Sequence, residues 1–281
     1  MNKLQKLYYT IKHPKHIIRN KVQQEVDRIL RELNYQPINE FNPDKDIFVV
    51  SYPKSGATWM QCLMTGLLLG MDTRYLSDKL THEIYPDIHM KSYYKRFYEF
   101  NFFKTHNLPK PEYKNVIYIV RDGRDALVSY YNMNKTLGID VTLEEMVIEG
   151  KSLFPSPWHI HVRQWINNPY QANILYIKYE DLIYQPEQQL KRIMDFTHIS
   201  RDENIVKQII EGCSFQQMKN KEQKWGSENK NWPKDKSFFR KGKIGTFKQE
   251  MPGNLIEIFE KNAGEELKHW GYELFSNKNK V

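Results

Sequence analysis

Apolar positions along the chain fall into two repeating patterns. Short runs of consecutive β-branched and aromatic residues lie at 47–51, 116–120 and 173–179. Their length and continuity are those of strands buried on both faces. Between these runs apolar residues recur at helical spacing, as in Met60, Leu63, Met64, Leu67 and Leu68 of the segment 58–69. The same period marks helices over 124–133, 142–150, 157–167, 186–196, 201–211 and 253–269. A further apolar run opens the segment Phe102-Phe-Lys-Thr-His106. Residues 72–100 are rich in tyrosine and follow neither period, and 219–250 are polar and rich in Lys, Gly and Asn, so both read as loop. Strands alternating with helices predict an α/β fold, a single domain with a central parallel sheet flanked by helices. Residues 46–281 are assigned to that domain and 1–45 to a helical extension packed on it. Ligands of such sheets bind beyond the C-terminal ends of the strands.

Composition narrows the ligand. The 281 residues, 40% of them hydrophobic, suffice for one sizeable core. Forty-two Lys and Arg against 34 Asp and Glu give a net charge of +8, which suits an anionic ligand. The cations are spread over the whole length, which argues against nucleic acid as the partner. The first 20 residues are basic and lack the apolar stretch of a signal peptide; they would suit a surface helix packed on the body. No run approaches the ~20 apolar residues of a membrane span, so a cytoplasmic protein without membrane insertion is expected. Two cysteines do not make a disulfide framework, and Cys62, on an apolar helix face, is expected in the core. No Cys/His cluster has zinc spacing, and no metal is expected.

The candidate chemistry sits at two strand ends. Between the strand at 47–51 and the helix from Thr58 lies Lys54-Ser55-Gly56-Ala57-Thr58. Small residues there let backbone amides face an anion at a helix N-terminus, with a lysine and two hydroxyls nearby. The order is not that of a Walker loop, since Lys54 precedes the glycine. After the strand at 116–120 comes Arg121, and Ser129 lies eight residues on; a guanidinium and a hydroxyl so separated can reach one phosphate if the turn folds back. Phe238-Phe239-Arg240-Lys241-Gly242 offers two adjacent cations and a glycine for a second loop over a phosphate.

Taken in order, four blocks resemble the cytosolic sulfotransferase family: 52–59, Lys104-Thr105-His106, 121–131 and 240–245. Tyr179-Glu-Asp-Leu182 and Ser214-Phe215-x-x-Met218 also match family positions, and the resemblance spans 46–270. It implies transfer of a sulfuryl group from 3′-phosphoadenosine 5′-phosphosulfate (PAPS) to a hydroxyl or nitrogen of a small molecule. Carried over by position, the 5′-phosphosulfate would be held by the amides of 55–58 and the hydroxyls of Ser55 and Thr58. Lys54 would stabilise charge on the leaving oxygen, with Lys104 a second cation. Arg121, Ser129, Arg240, Lys241 and Gly242 would bind the 3′-phosphate. Trp59 and Phe215 would sandwich the adenine, beside Tyr179, Ser214, Met218 and Phe238. His106 would be the general base. Two departures from the family pattern stand out: Ala57 replaces a threonine, and Thr246-Phe247-Lys248-Gln249 replaces Asp-Trp-Lys-Asn. The family dimer segment is also altered, because Pro252-Gly253 stands where Thr-Val is usual; a monomer, or a dimer through another surface, is expected.

Competing readings are a small-molecule or nucleoside kinase with a variant loop, for which Asp122 and Asp125 are the only candidate magnesium ligands, and a non-catalytic binder of acidic polymers. For the acceptor, the aromatic stretch from Tyr93 to Phe103, with Met133, Phe154 and Trp158, would form the walls, while Glu83, Asp87 and Glu99 would suit a cationic acceptor. Richness in Lys, Ile, Asn and Tyr points to an AT-rich, bacterial genome and a tailoring enzyme of secondary metabolism.

Overall fold

The computed structural model describes residues 14–226 and 231–275. Helix α1 (Pro14–Glu32) and strand β1 (Tyr35–Pro37) precede the first core strand, β2 (Ile47–Ser51), which turns into α2 (Ala57–Leu69). Then come α3 (Asp78–Ile84), β3 (Tyr93–Lys95), β4 (Phe102–Thr105), β5 (Asn115–Val120), α4 (Gly123–Thr136), α5 (Leu143–Ile148) and α6 (Trp158–Asn167). Strand β6 (Asn173–Lys178) is followed by α7 (Tyr179–Tyr184), α8 (Pro186–Thr197), α9 (Glu203–Gly212), α10 (Phe215–Trp225), α11 (Phe247–Glu250) and α12 (Gly253–His269).

Four strands form one parallel sheet in the order β4-β2-β5-β6. The two central strands, β2 and β5, are almost wholly apolar because both faces are covered. Ile47, Val49, Ile117, Ile119 and Ile177 pack with α2 and α9 on one face, and Phe48, Val50, Val116, Tyr118 and Val120 pack with α4, α6 and α12 on the other. From β2 the chain first adds β4 on one side and then β5 on the other. This reversal opens a crevice at the C-terminal end of β2, where open α/β sheets bind ligands.

Two stretches read as loop contain regular structure. Residues 72–100 include a 3-10 turn, α3 and β3, and 219–250 begin with the second half of α10 and end with α11. Their signals are weak for physical reasons. Helix α3 is only seven residues long and starts on a single cap, Ser77 Oγ accepting the Leu80 amide. Strand β3 is three residues pairing with distant β1, a non-local partner that local pattern cannot reveal. Of the N-terminal stretch expected as a surface helix, residues 1–13 lie outside those described, and so do 227–230 and 276–281. Cys62 is buried as expected, but it is not alone: a disulfide joins it to Cys213, tying α2 to the residues that open α10, with Cα atoms 6.2 Å apart. The two residues are brought together by the packing of α2 on α9, which no cysteine count reveals.

Candidate active site

Residues beyond the ends of all four parallel strands line one cavity of about 790 Å³. After β2 the chain makes a tight turn in which the Ser55 amide donates to the Tyr52 carbonyl at 3.1 Å. Lys54 and Gly56 take left-handed conformations, with φ of 69° and 99°. A Cβ on Gly56 would lie 2.7 Å from the Tyr179 ring, so only glycine lets the loop pass that wall. Helix α2 has no side-chain cap, which leaves its first-turn amides pointing past the helix end. Together with the helix dipole they form an anion site. The Lys54 ammonium sits 4.4 Å over the Phe238 ring. Burial, then the charges of Lys104, Arg121 and Arg240, lower its pKa to about 8. An anionic ligand would relieve that crowding of like charges.

Lys54, Gly56, Ala57, Thr58 and Trp59 all reach the cavity. Ser55 is the exception among the loop residues. Its side chain is buried within the turn, its hydroxyl has no hydrogen-bond partner, and its amide is engaged by Tyr52. The structure therefore does not bring the Ser55 hydroxyl to the cavity wall.

Arg121 joins the Lys54 loop to the loop that carries Arg240. One of its terminal nitrogens donates to the Lys54 carbonyl at 2.9 Å, the other to the Lys243 carbonyl at 3.2 Å, and the guanidinium lies 4.5 Å over the Tyr179 ring. Its Nε–H is buried with no partner, a donor that an anion could satisfy. Ser129, on α4, faces the same cavity, as do Arg240, Lys241 and Gly242. Glu250 holds both Arg240 and Lys241, the latter at 3.0 Å. Gly242 is left-handed, and a Cβ there would meet Phe215 at 2.4 Å. Asp125 fixes the base of this loop, accepting from the Gly245 amide at 2.6 Å, the Thr246 hydroxyl at 3.1 Å and the Phe247 amide at 2.9 Å. Trp59, Tyr179, Ser214, Phe215, Met218 and Phe238 complete this end of the cavity. Asp122, the other acid weighed as a magnesium ligand, caps α4 and pairs with Arg124 at 2.7 Å. Among the described residues no group of three or more His, Cys, Asp or Glu side chains is placed to hold a metal ion.

His106, just beyond β4, has its tautomer set by its surroundings. Nδ1 lies 2.7 Å from the Ser51 carbonyl, which only accepts, so Nδ1 carries the proton and Nε2 is left as a base. Burial, then the Lys104 charge, lowers the imidazole pKa to about 4, against an opposing pull from Asp87. The ring is therefore neutral across the physiological range. Three contacts around the Lys104-Thr105-His106 segment are absent from the sequence reading, which names Asp87 only as suited to a cationic acceptor. His161 Nε2 lies 3.1 Å from the His106 carbonyl, and its Nδ1 2.9 Å from the Tyr118 hydroxyl. His89 Nε2 accepts the His106 amide at 3.1 Å. Asp87 pairs with Lys104 at 2.9 Å. All three come from distant segments, and nothing local in sequence marks them.

The end of the cavity around His106 differs from the aromatic wall that the sequence suggests. Met133 and Phe154 line the cavity, together with Asp87, His89, Met90 and Tyr130. The Tyr93 and Tyr94 hydroxyls instead tie down α1 and the β1 region, and Phe102 and Phe103 belong to opposite faces of the sheet core. Phe97 and Tyr98 are exposed, and Trp158 packs in the core against Gly123 and Phe259. The three acids each have a lysine partner: Glu83 with Lys91, Asp87 with Lys104, Glu99 with Lys45.

Comparison with known proteins bears on the family of this chain. The sulfotransferase domain model matches residues 44–271. Mouse sulfotransferase 1B1 is 30% identical over 210 residues, covering 66% of this chain and 70% of the relative. Cytosolic sulfotransferase 12 of Arabidopsis thaliana is 27% identical over 263 residues, 83% of this chain and 80% of the relative. The crystal structure of mouse sulfotransferase SULT7A1, complexed with PAP, shares the fold with a TM-score of 0.59 at 20% identity, covering 84% of this chain and 91% of that one. Retinol dehydratase, solved with androsterone and PAP, gives 0.61 at 21% identity, covering 82% of each chain. With the family model matching most of the chain, from before β2 to the end of α12, the protein belongs to the sulfotransferase family.

Proposed function

We propose that this sulfotransferase takes its sulfuryl group from PAPS and passes it to a hydroxyl, or an amine or amide nitrogen, of a small molecule. The observation that carries the reading is one cavity with two cationic ends, the Lys54 loop and the Arg121–Arg240–Lys241 cluster, and an unprotonated His106 nitrogen. The phosphosulfate supplies an already activated sulfuryl group, so the protein's part is to bind, orient and move one proton. The fit rests on two features of the site. The α2 amides and Lys54 form an uncapped anion cradle, and Arg121 holds an unpartnered Nε–H. Lys54, Ala57 and Thr58 would hold the 5′ end; Arg121, Ser129, Arg240, Lys241 and Gly242 the 3′-phosphate; Trp59 and Phe215 the adenine. His106 Nε2 would accept the acceptor's proton while Lys54 and Lys104 stabilise negative charge on either side of the sulfuryl group.

A kinase is not favoured, since the only candidate magnesium ligands, Asp122 and Asp125, are committed to Arg124 and to the 245–247 backbone. Adenosine 3′,5′-bisphosphate should therefore raise the melting temperature by several degrees, about 2.7 kcal/mol of stabilisation at a hundredfold excess over Kd. Adenosine triphosphate with magnesium should give little shift; an equal shift from both nucleotides would overturn the donor assignment.

Relatives are named for small acceptors, among them an amine sulfotransferase of Oryctolagus cuniculus and a flavonol 3-sulfotransferase of Flaveria bidentis. They support a small organic acceptor here too, and a place in secondary metabolism. Relatives named as cytosolic sulfotransferases support the cytoplasmic reading; no helix of the described residues is long and apolar enough to cross a membrane. The start of the family match at residue 44 supports treating 1–45 as an extension.

The monomer reading is supported by the local backbone. Residues 247–250 form α11, and Pro252 caps α12 rather than continuing an extended zipper. Lys248 and Glu257 stand at the two ends of the segment where the family has K-x-x-x-T-V-x-x-x-E, and light scattering should report a monomer, or a dimer indifferent to Lys248→Ala and Glu257→Ala. A dimer that either substitution dissociates would refute this.

A further inference from the structure

We propose that Asp87 is a positioning residue for sulfuryl transfer, one carboxylate that fixes both Lys104 and the turn supporting His106. The inference rests on the reading of Lys104 and His106 as groups that act on the sulfuryl group and its acceptor.

The segment holding Asp87 is hydrogen-bonded to the edge of β4. The Lys104 amide donates to the Pro86 carbonyl at 3.0 Å, and the Ile88 amide to the Lys104 carbonyl at 3.1 Å, making a parallel bridge of Asp87 with Lys104. The carboxylate, buried at 3% exposure, then divides its two oxygens. Oδ2 takes the Lys104 ammonium at 2.9 Å. Oδ1 accepts the His89 amide at 2.9 Å, which closes a turn. His89 in turn accepts the His106 amide at 3.1 Å, and its ring lies nearly parallel to that of His106, 5.9 Å away. The chain of contacts thus runs from Asp87 to both residues of the Lys104-Thr105-His106 segment that face the cavity.

Chemically this solves a conflict. Lys104 is a flexible, strongly hydrated cation, and unrestrained it would swing toward any anion nearby. A buried carboxylate behind it holds the ammonium in one place while leaving its other N–H donors for a sulfuryl oxygen. The same negative charge faces His106 and counters the Lys104 cation. The other groups around that imidazole are the Ser51 carbonyl from β2, neutral His161 from α6, and His89. Only Asp87 among them carries a negative charge, so together with the hydrogen bond to the Ser51 carbonyl it favours the imidazolium that forms when the acceptor proton arrives.

The test uses the full chain and three measurements: affinity for adenosine 3′,5′-bisphosphate, turnover of labelled PAPS with an acceptor from an alcohol and phenol screen, and His106 titration by NMR. Asp87→Asn keeps the shape and the bond to the His89 amide. It should bind the bisphosphate within about threefold of wild type, because that product lacks the sulfuryl group. Its kcat should fall roughly tenfold or more, the scale of a small misplacement of a reacting group. Its His106 ring should stay neutral to lower pH than in wild type. Lys104→Met should do the opposite to the imidazole, moving its midpoint upward by removing the cation and leaving Asp87 in place; this holds even if the Asp87 variant does not fold. Wild-type kcat in a folded Asp87→Asn protein, or a His106 midpoint that neither substitution moves, would overturn the proposal. Failure of wild type to bind the bisphosphate would instead count against the donor assignment itself.

Discussion

His106→Ala should lower kcat by about 10²–10⁴-fold, the usual contribution of a positioned general base, with bisphosphate affinity nearly unchanged. The geometry behind this is the tautomer: Nδ1–H is committed to the Ser51 carbonyl at 2.7 Å, so Nε2 is the basic nitrogen. The pH dependence follows in sign. A base works when neutral, and burial with the Lys104 cation lowers the His106 pKa to about 4 rather than raising it. In kcat/KM, which reports the free enzyme, the acid limb should lie near that value and well below the ordinary histidine range. The bound donor brings negative charge that favours the imidazolium, so the acid limb in kcat should sit at higher pH than that in kcat/KM. In His106→Ala the histidine-dependent acid limb should vanish. Near-normal turnover in a folded His106→Ala protein would remove the residue from the mechanism. A histidine that only packs would lower the melting temperature and leave turnover intact in the folded fraction.

The second large effect concerns the 3′-phosphate. Arg240→Ala should weaken adenosine 3′,5′-bisphosphate by about 2–3 kcal/mol, the scale of a charge-assisted phosphate contact. Adenosine 5′-phosphate should hardly notice. Arg240 pairs with the Glu250 carboxylate, so its loss leaves the backbone of the site alone. Arg121→Ala should cost at least as much, and less selectively. That guanidinium also carries the Lys54 and Lys243 carbonyls, and its removal loosens the 5′ loop that both nucleotides share. Calorimetric titration of the two nucleotides against the two variants separates these cases. Equal losses for both ligands in Arg240→Ala would sink the assignment of that end of the cavity.

What the sequence made legible was local. The strand at 47–51 and the helix after it are written in apolar periodicity, and the loop between them in its lysine and glycine. Blocks that recur in a fixed order, such as Arg121 with Ser129, could be recognised without knowing how they meet. Contacts set only by folding were not legible. His161 is about fifty residues from His106, and Asp87 belongs to a tyrosine-rich stretch with no helix or strand period. Ser55 is the converse case, a local signal whose side chain the fold encloses. A hydroxyl in a phosphate loop reads as a ligand, yet the left-handed Lys54 and Gly56 shape a turn that buries it. The aromatic run from Tyr93 to Phe103 misled for a related reason. Aromatic residues serve cores and pockets alike, and here the sheet claimed Phe102 and Phe103 while Tyr93 and Tyr94 anchored the N-terminal helix and β1.

Asp125 has a consequence for the energetics of donor capture. The backbone and hydroxyl donors of residues 245–247 converge as an anion nest would, and the protein fills that nest with its own carboxylate. The base of the Arg240 loop is thereby ordered when the chain folds, not when the nucleotide arrives. Ordering a loop on binding subtracts from affinity, so this preorganisation leaves more of the phosphate contact energy to appear as donor affinity.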